Sequence, residues 1–177
     1  MRKKLLKLYN TLEEERNSLF TILNNFNDES INKQPGPQKW SAQQVMNHLI
    51  LSEKYSVGYC QKKLSFNPNL KKGSIGAAIK AWTVSTYFNL PLKINAPKGI
   101  DTPALPTYES VDETKRKWKL EREEMKQFLE NVDDIYLDKE IYKHPFAGRL
   151  TLQGMMKFFI AHFRHHRKQI DKALNHQ

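Results

Sequence analysis

His162 and His166 stand four residues apart near the end of the chain, in the run His162-Phe163-Arg164-His165-His166. Histidine is a common ligand for divalent metals near neutral pH, because its uncharged ring offers a lone pair there. Residues four apart on a helix are offset by only about 40° and so look toward one side. A third histidine, His48, lies far upstream in another helical pattern. Three imidazoles from two helices can bind zinc or nickel and leave positions open for water or substrate. That is the form of a catalytic centre, not of a closed structural one. The same residues admit a plainer reading. With six histidines in the chain, one such pair can arise by chance. Arg164, His165, His166, Arg167 and Lys168 could then be only a basic helix end set against the helix dipole.

Long helices have to carry these rings. From about Lys4 to Asn25, residues Leu5, Leu8, Leu12, Leu19, Ile22 and Leu23 keep a period near 3.6. Asn27-Asp28-Glu29-Ser30 and Gln34-Pro35-Gly36-Pro37 then read as a loop. The second helix starts at Ser41, with Gln44 completing a capping box. It places His48 on an inward stripe with Val45, Leu49 and Ser52. A third helix runs from Ser110 to about Asn131, with Glu113 as a second capping-box residue and Val111, Trp118, Met125, Phe128 and Leu129 inward. A segment from Tyr136 to Arg149 reads as extended and turns at His144. The fourth helix starts at Thr151, with Leu152, Met155, Met156, Phe159, Phe163 and Ile170 apolar.

Between the second and third helices lies an irregular stretch from about Phe66 to Glu109, rich in proline, with one short helix expected from Ile75 to Phe88. A connection this long is unusual in a simple up-down bundle and implies a crossover between two parallel helices. The expected fold is all-α, a four-helix bundle in one domain over residues 1–177.

Composition narrows the function classes. Hydrophobic residues make up 39% of 177, enough for one core. No apolar run approaches the ~20 residues of a membrane span. The basic N-terminus, Met1-Arg2-Lys3-Lys4-Leu5-Leu6-Lys7-Leu8, is interrupted by charge and reads as a helix start, not a signal peptide. The single cysteine, Cys60, excludes an internal disulfide and agrees with a reducing cytoplasm. It reads as an ordinary helical thiol. The net charge of +10 would suit a polyanion. The basic residues alternate with acids, however, as in Glu113-Thr114-Lys115-Arg116-Lys117-Trp118-Lys119-Leu120-Glu121-Arg122-Glu123-Glu124, which describes a solvated helix face. Nucleic acid is therefore not the expected partner.

Three segments also resemble a known family. They are Trp40-Ser41-Ala42-Gln43-Gln44-Val45-Met46-Asn47-His48-Leu49, His144-Pro145-Phe146-Ala147-Gly148-Arg149-Leu150-Thr151-Leu152 and His162-Phe163-Arg164-His165-His166-Arg167-Lys168-Gln169-Ile170. In order and spacing they are similar to the DinB/YfiT-like superfamily, over about Trp40 to Ile170. The resemblance implies a four-helix bundle with a long crossover after the second helix, and a divalent metal, zinc or nickel first, held by His48, His162 and His166. His165 falls on the variable position between them. It implies an enzyme, either a thiol-dependent S-transferase that uses a low-molecular-weight thiol or, as the alternative, a hydrolase using metal-bound water. A non-enzymatic basic helical module is the third reading. A small-molecule substrate and a homodimer are the expected partners. Arg164 or Arg167 could draw in the acidic groups of a thiol. His144 could act as an acid or base near the site, or simply hydrogen-bond within its turn. Glu53 could stand behind His48, or be a solvated surface acid.

Overall fold

Among the described residues, four amphipathic patterns become four long helices, and a fifth short one joins them. The computed structural model describes residues 1–73, 101–144 and 147–175. They form α1 (Arg2–Leu23), α2 (Asp28–Asn32), α3 (Ala42–Leu64), α4 (Val111–Asn131) and α5 (Leu152–Asn175). A small antiparallel hairpin, β1 (Tyr142–His144) and β2 (Gly148–Leu150), precedes α5. The helix expected from Ile75 to Phe88 lies outside the described residues.

Both α1 and α3 pack against α4 and α5, which closes a ring of four around one core. Side-chain pairs give the directions. Arg2 at the start of α1 donates to the Leu129 and Val132 carbonyls at the far end of α4, while Asn24 meets Lys115 near its beginning. These two helices are antiparallel. In α3 and α4 the order agrees: Asn47 bonds Glu109 and Lys54 bonds Glu121. They run parallel, as the crossover requires. Cys60 of α3 touches Met155 of α5, and His48 meets His162, so this pair is antiparallel.

The interior holds Leu5, Leu12, Leu19, Trp118, Phe159 and Phe163, each at most 2% exposed. Side chains of this size contribute about 1.5–3 kcal/mol each when buried. The predicted apolar faces of α4 and α5 are the buried ones.

The break expected at Asn27–Ser30 is a helix start instead. Asn27 caps α2 through the Ser30 amide, and Asp28 and Glu29 oppose the dipole of its first turn. Five residues would not hold a helix alone. Tertiary bonds do so: Ile31 is fully buried, and Asn32 both donates to the Glu109 carbonyl and accepts its amide. The proposed capping box at Ser110 is half formed. Ser110 accepts the Glu113 amide, but the Glu113 carboxylate grips Arg116.

The near end of the crossover is anchored beside the hairpin. Lys72 bridges Lys139, and the Gly73 amide donates to the Asp138 carbonyl at 2.7 Å. A Cβ on Gly73 would come within 2.5 Å of the Thr151 methyl, so only glycine fits there.

Candidate metal centre

His48 sits in the second turn of α3, where the local sequence leaves little freedom. Ser41 accepts the Gln44 amide while the Gln44 side chain accepts the Ser41 amide. This reciprocal cap is worth about 1 kcal/mol and fixes where the helix begins. Every residue from Ser41 to Ile50 is buried, because α2 and α5 cover this end of α3. Ser52 Oγ donates back to the His48 carbonyl at 2.7 Å.

His162 and His166 come from α5, one turn apart on its buried side. Thr151 starts that helix by accepting the Gly154 amide on its hydroxyl. The three rings meet through their Nε2 atoms. His162 Nε2 lies 3.3 Å from His48 Nε2 and 3.0 Å from His166 Nε2. Each residue offers a ligand atom within 4.8 Å of those of the other two.

These distances fit a shared cation. A zinc ion bound tetrahedrally at Zn–N of about 2.0–2.1 Å sets neighbouring nitrogens roughly 3.3 Å apart. Hydrogen bonds alone fit less well. A neutral Nε2 offers one donor or one acceptor site, and that of His162 faces two other nitrogens at once. The electrostatics point the same way. Burial, then the nearby His166 and His48 rings, hold His162 well below the usual imidazole range. Burial, with His48 beside it, takes His166 down to about 3. Both rings are therefore neutral near pH 7 and have lone pairs available to a cation.

Aromatic rings enclose the cluster. Trp40 tilts against His48 at a centroid distance of 5.0 Å, and Phe158 stacks on His162 at 5.1 Å. Trp40 also donates its indole N–H to Thr102 Oγ1 at 2.9 Å. The far end of the crossover thus reaches the wall of the site. Two surface clefts, one beside Asn47, Lys54 and Lys117 and the other beside Gln61, Glu124 and Asn131, contain none of the three histidines.

The remaining candidates fall as follows. His165 stays outside the cluster, against Gln169. His144 is buried, and its Nδ1 accepts the Ala147 amide at 3.0 Å, which is the turn role. It touches Phe158, and through that ring it stands behind His162. Arg164 and Arg167 are engaged by Glu15 and Asp171. Cys60 is fully buried, and desolvation pushes its thiol up to about 12.

Glu53 is not a surface acid. It is 2% exposed and receives both the Nε and Nη2 of Arg122, at 2.6 and 2.8 Å, together with the Trp118 indole. Arg122, read with the solvated face of α4, turns inward because Trp118, Arg122 and Met125 share the buried stripe. Burying one charge requires burying its partner. Sequence reasoning also passed over Gln169, whose Oε1 meets His166 Nδ1 at 2.8 Å. Its spacing, three after a ligand-type histidine, was the available signal.

A family model described as the DinB superfamily matches residues 11–170. No curated protein and no solved structure matches the chain significantly.

Proposed function

The chain belongs to the DinB superfamily, and from that premise we propose that it is a metal-dependent enzyme, a thiol-dependent S-transferase whose divalent ion is held by His48, His162 and His166. The observation that carries this reading is the convergence of three buried Nε2 atoms at 3.0 and 3.3 Å. Zinc and nickel both suit an all-imidazole set. When bound, such an ion supplies the positive charge that keeps a thiol ionised near neutral pH.

The chain's own residues do the rest. Burial keeps the His162 and His166 imidazoles unprotonated. Trp40 and Phe158 form apolar walls that limit water around them. Cys60 cannot serve as the nucleophile, since it is fully buried with its sulfur against Met155, so the sulfur must arrive on a cosubstrate. In the transfer, the cosubstrate sulfur forms a bond to an electrophilic carbon. The bond from that carbon to its leaving group breaks, and the leaving group takes the electron pair. The thiol proton passes to solvent. Thr102, bonded to the Trp40 indole, stands at the wall that an electrophile would meet. The net charge of +10 favours approach of an acidic thiol.

The test combines metal analysis with turnover. Purified chain should carry about one divalent ion, and the His48→Ala, His162→Ala, His166→Ala triple variant none. Product should form from a low-molecular-weight thiol and a panel of alkyl or aryl electrophiles. Equal metal content in the triple variant refutes the centre. Metal-dependent breakdown of the electrophile with no thiol added replaces the transferase with a hydrolase. Salt-sensitive binding of polyanions that survives chelation would instead favour a basic binding module.

A further inference from the structure

His166 uses one ring nitrogen inside the cluster and the other outside it. Its Nε2 faces His162 at 3.0 Å, while its Nδ1 lies 2.8 Å from Gln169 Oε1. Gln169 follows His166 by three residues, the spacing that puts two side chains on one helix face. A carbonyl oxygen has no proton to give. The 2.8 Å contact therefore requires the proton to be on Nδ1. A neutral imidazole has only one N–H, so Nε2 is left bare.

The amide itself is oriented. Its oxygen lies on the His166 side, and its Nε2 lies 3.4 Å from His165 Nε2, so the amide spans the two rings. Turning the amide over would set its NH₂ against the Nδ1 and reverse the tautomer.

We propose that Gln169 is a positioning residue: its carbonyl oxygen holds His166 in the Nδ1–H form, and so keeps the Nε2 lone pair directed at the three-histidine cluster. The consequence for affinity rests on the metal-binding reading above, whereas the tautomer does not. Partners that orient a ligating histidine commonly contribute 10–100-fold to metal affinity. Gln169 is exposed, so substitutions there leave the core intact.

The experiment uses the full-length, ¹⁵N-labelled chain. Two-bond ¹H–¹⁵N correlations of the imidazoles should show a protonated Nδ1 and a bare Nε2 for His166 in metal-free protein. Gln169→Leu should lose that signature, and Gln169→Glu should keep it. In competition against a chelator, Gln169→Leu should weaken zinc binding by about 10–100-fold, and Gln169→Glu should recover most of the loss. Gln169→Ala, a second variant without the oxygen, should behave like Gln169→Leu. A proton on Nε2 of His166 in the wild type overturns the proposal. So does a Gln169→Leu chain with unchanged tautomer and unchanged affinity. If the wild type binds no zinc, the metal reading fails, and the tautomer measurement alone decides the role of Gln169.

Discussion

His162 and His166 place their Nε2 atoms 3.0 Å apart on one face of α5, with their rings nearly perpendicular at 88°. Two neutral imidazoles brought this close inside a protein gain from a cation between them. Binding to the folded chain alone stabilises it by mass action, about 2.7 kcal/mol when the free ligand is 100-fold above its dissociation constant. Zinc or nickel should therefore raise the unfolding temperature of the wild type by several degrees. The shift should vanish in His162→Ala, which removes the ring shared by both short contacts. Calorimetry with and without chelator measures this, and an equal shift in the variant would argue for metal binding elsewhere.

Trp40 leans on His48 from outside the cluster. Open-shell ions such as nickel and copper quench an indole at short range, and zinc does not. Titration with nickel should lower the tryptophan emission of the wild type, and Trp40→Phe should remove the largest part of the change. An identical quench in Trp40→Phe would place the ion away from His48.

The fold was legible because its patterns are long. The stripes of α4 and α5 repeat over five or more turns, and Ser41 with Gln44 marks a helix start within one residue. The histidine pair was legible from spacing, and His48 from the inward stripe of α3. What sequence could not reveal depends on partners far along the chain. Arg122 looks like any surface arginine in an alternating run until Glu53, 69 residues away, is set against it. The short α2 has no periodic signal and exists through Asn32 and Ile31. Gln169 reads as a polar surface residue unless His166 is already known to direct its other nitrogen inward.

The Glu53–Arg122 pair suggests a stability experiment. Arg122 is 1% exposed and also bonds Glu13 at 2.8 Å, with Arg16 on the other Glu13 oxygen. Removing one member leaves a buried charge without its counterpart, at a cost of about 3–5 kcal/mol. Arg122→Met and Glu53→Met alone should each destabilise the chain by that order. The double variant should cost less than the two added together, because no charge is stranded between those positions. Urea titration of the four proteins gives the coupling, and simple additivity would show that the pair acts as two independent groups.

Cys60 separates a protein nucleophile from an added one. With its thiol buried against Met155 and pushed up to about 12, it should react slowly with a disulfide reagent in native protein and rapidly in denaturant. Cys60→Ala should retain S-transfer activity within a fewfold. Loss of turnover with an intact metal content would return the cysteine to the mechanism.

His144 links acid to stability from the opposite side of Phe158. Burial takes its imidazole from 6.5 down to about 4, so the folded chain favours the neutral ring, whereas the unfolded chain takes up a proton near 6.5. The unfolded state binds more protons between these values, and stability then rises with pH. The contribution of this residue is complete above about pH 6.5 and is lost as pH falls toward 4, a change of order 3 kcal/mol. In metal-free protein His166 adds a loss of the same sign, since its own value is about 3. Urea unfolding in chelator at pH 7.5, 5.5 and 4.5 should therefore show a steady decline in stability. His144→Asn has no titrating ring, yet can still offer an oxygen to the Ala147 amide. It should start less stable at pH 7.5 and decline less steeply, and a slope equal to that of the wild type would mean that His144 takes up its proton equally in the folded and unfolded chain.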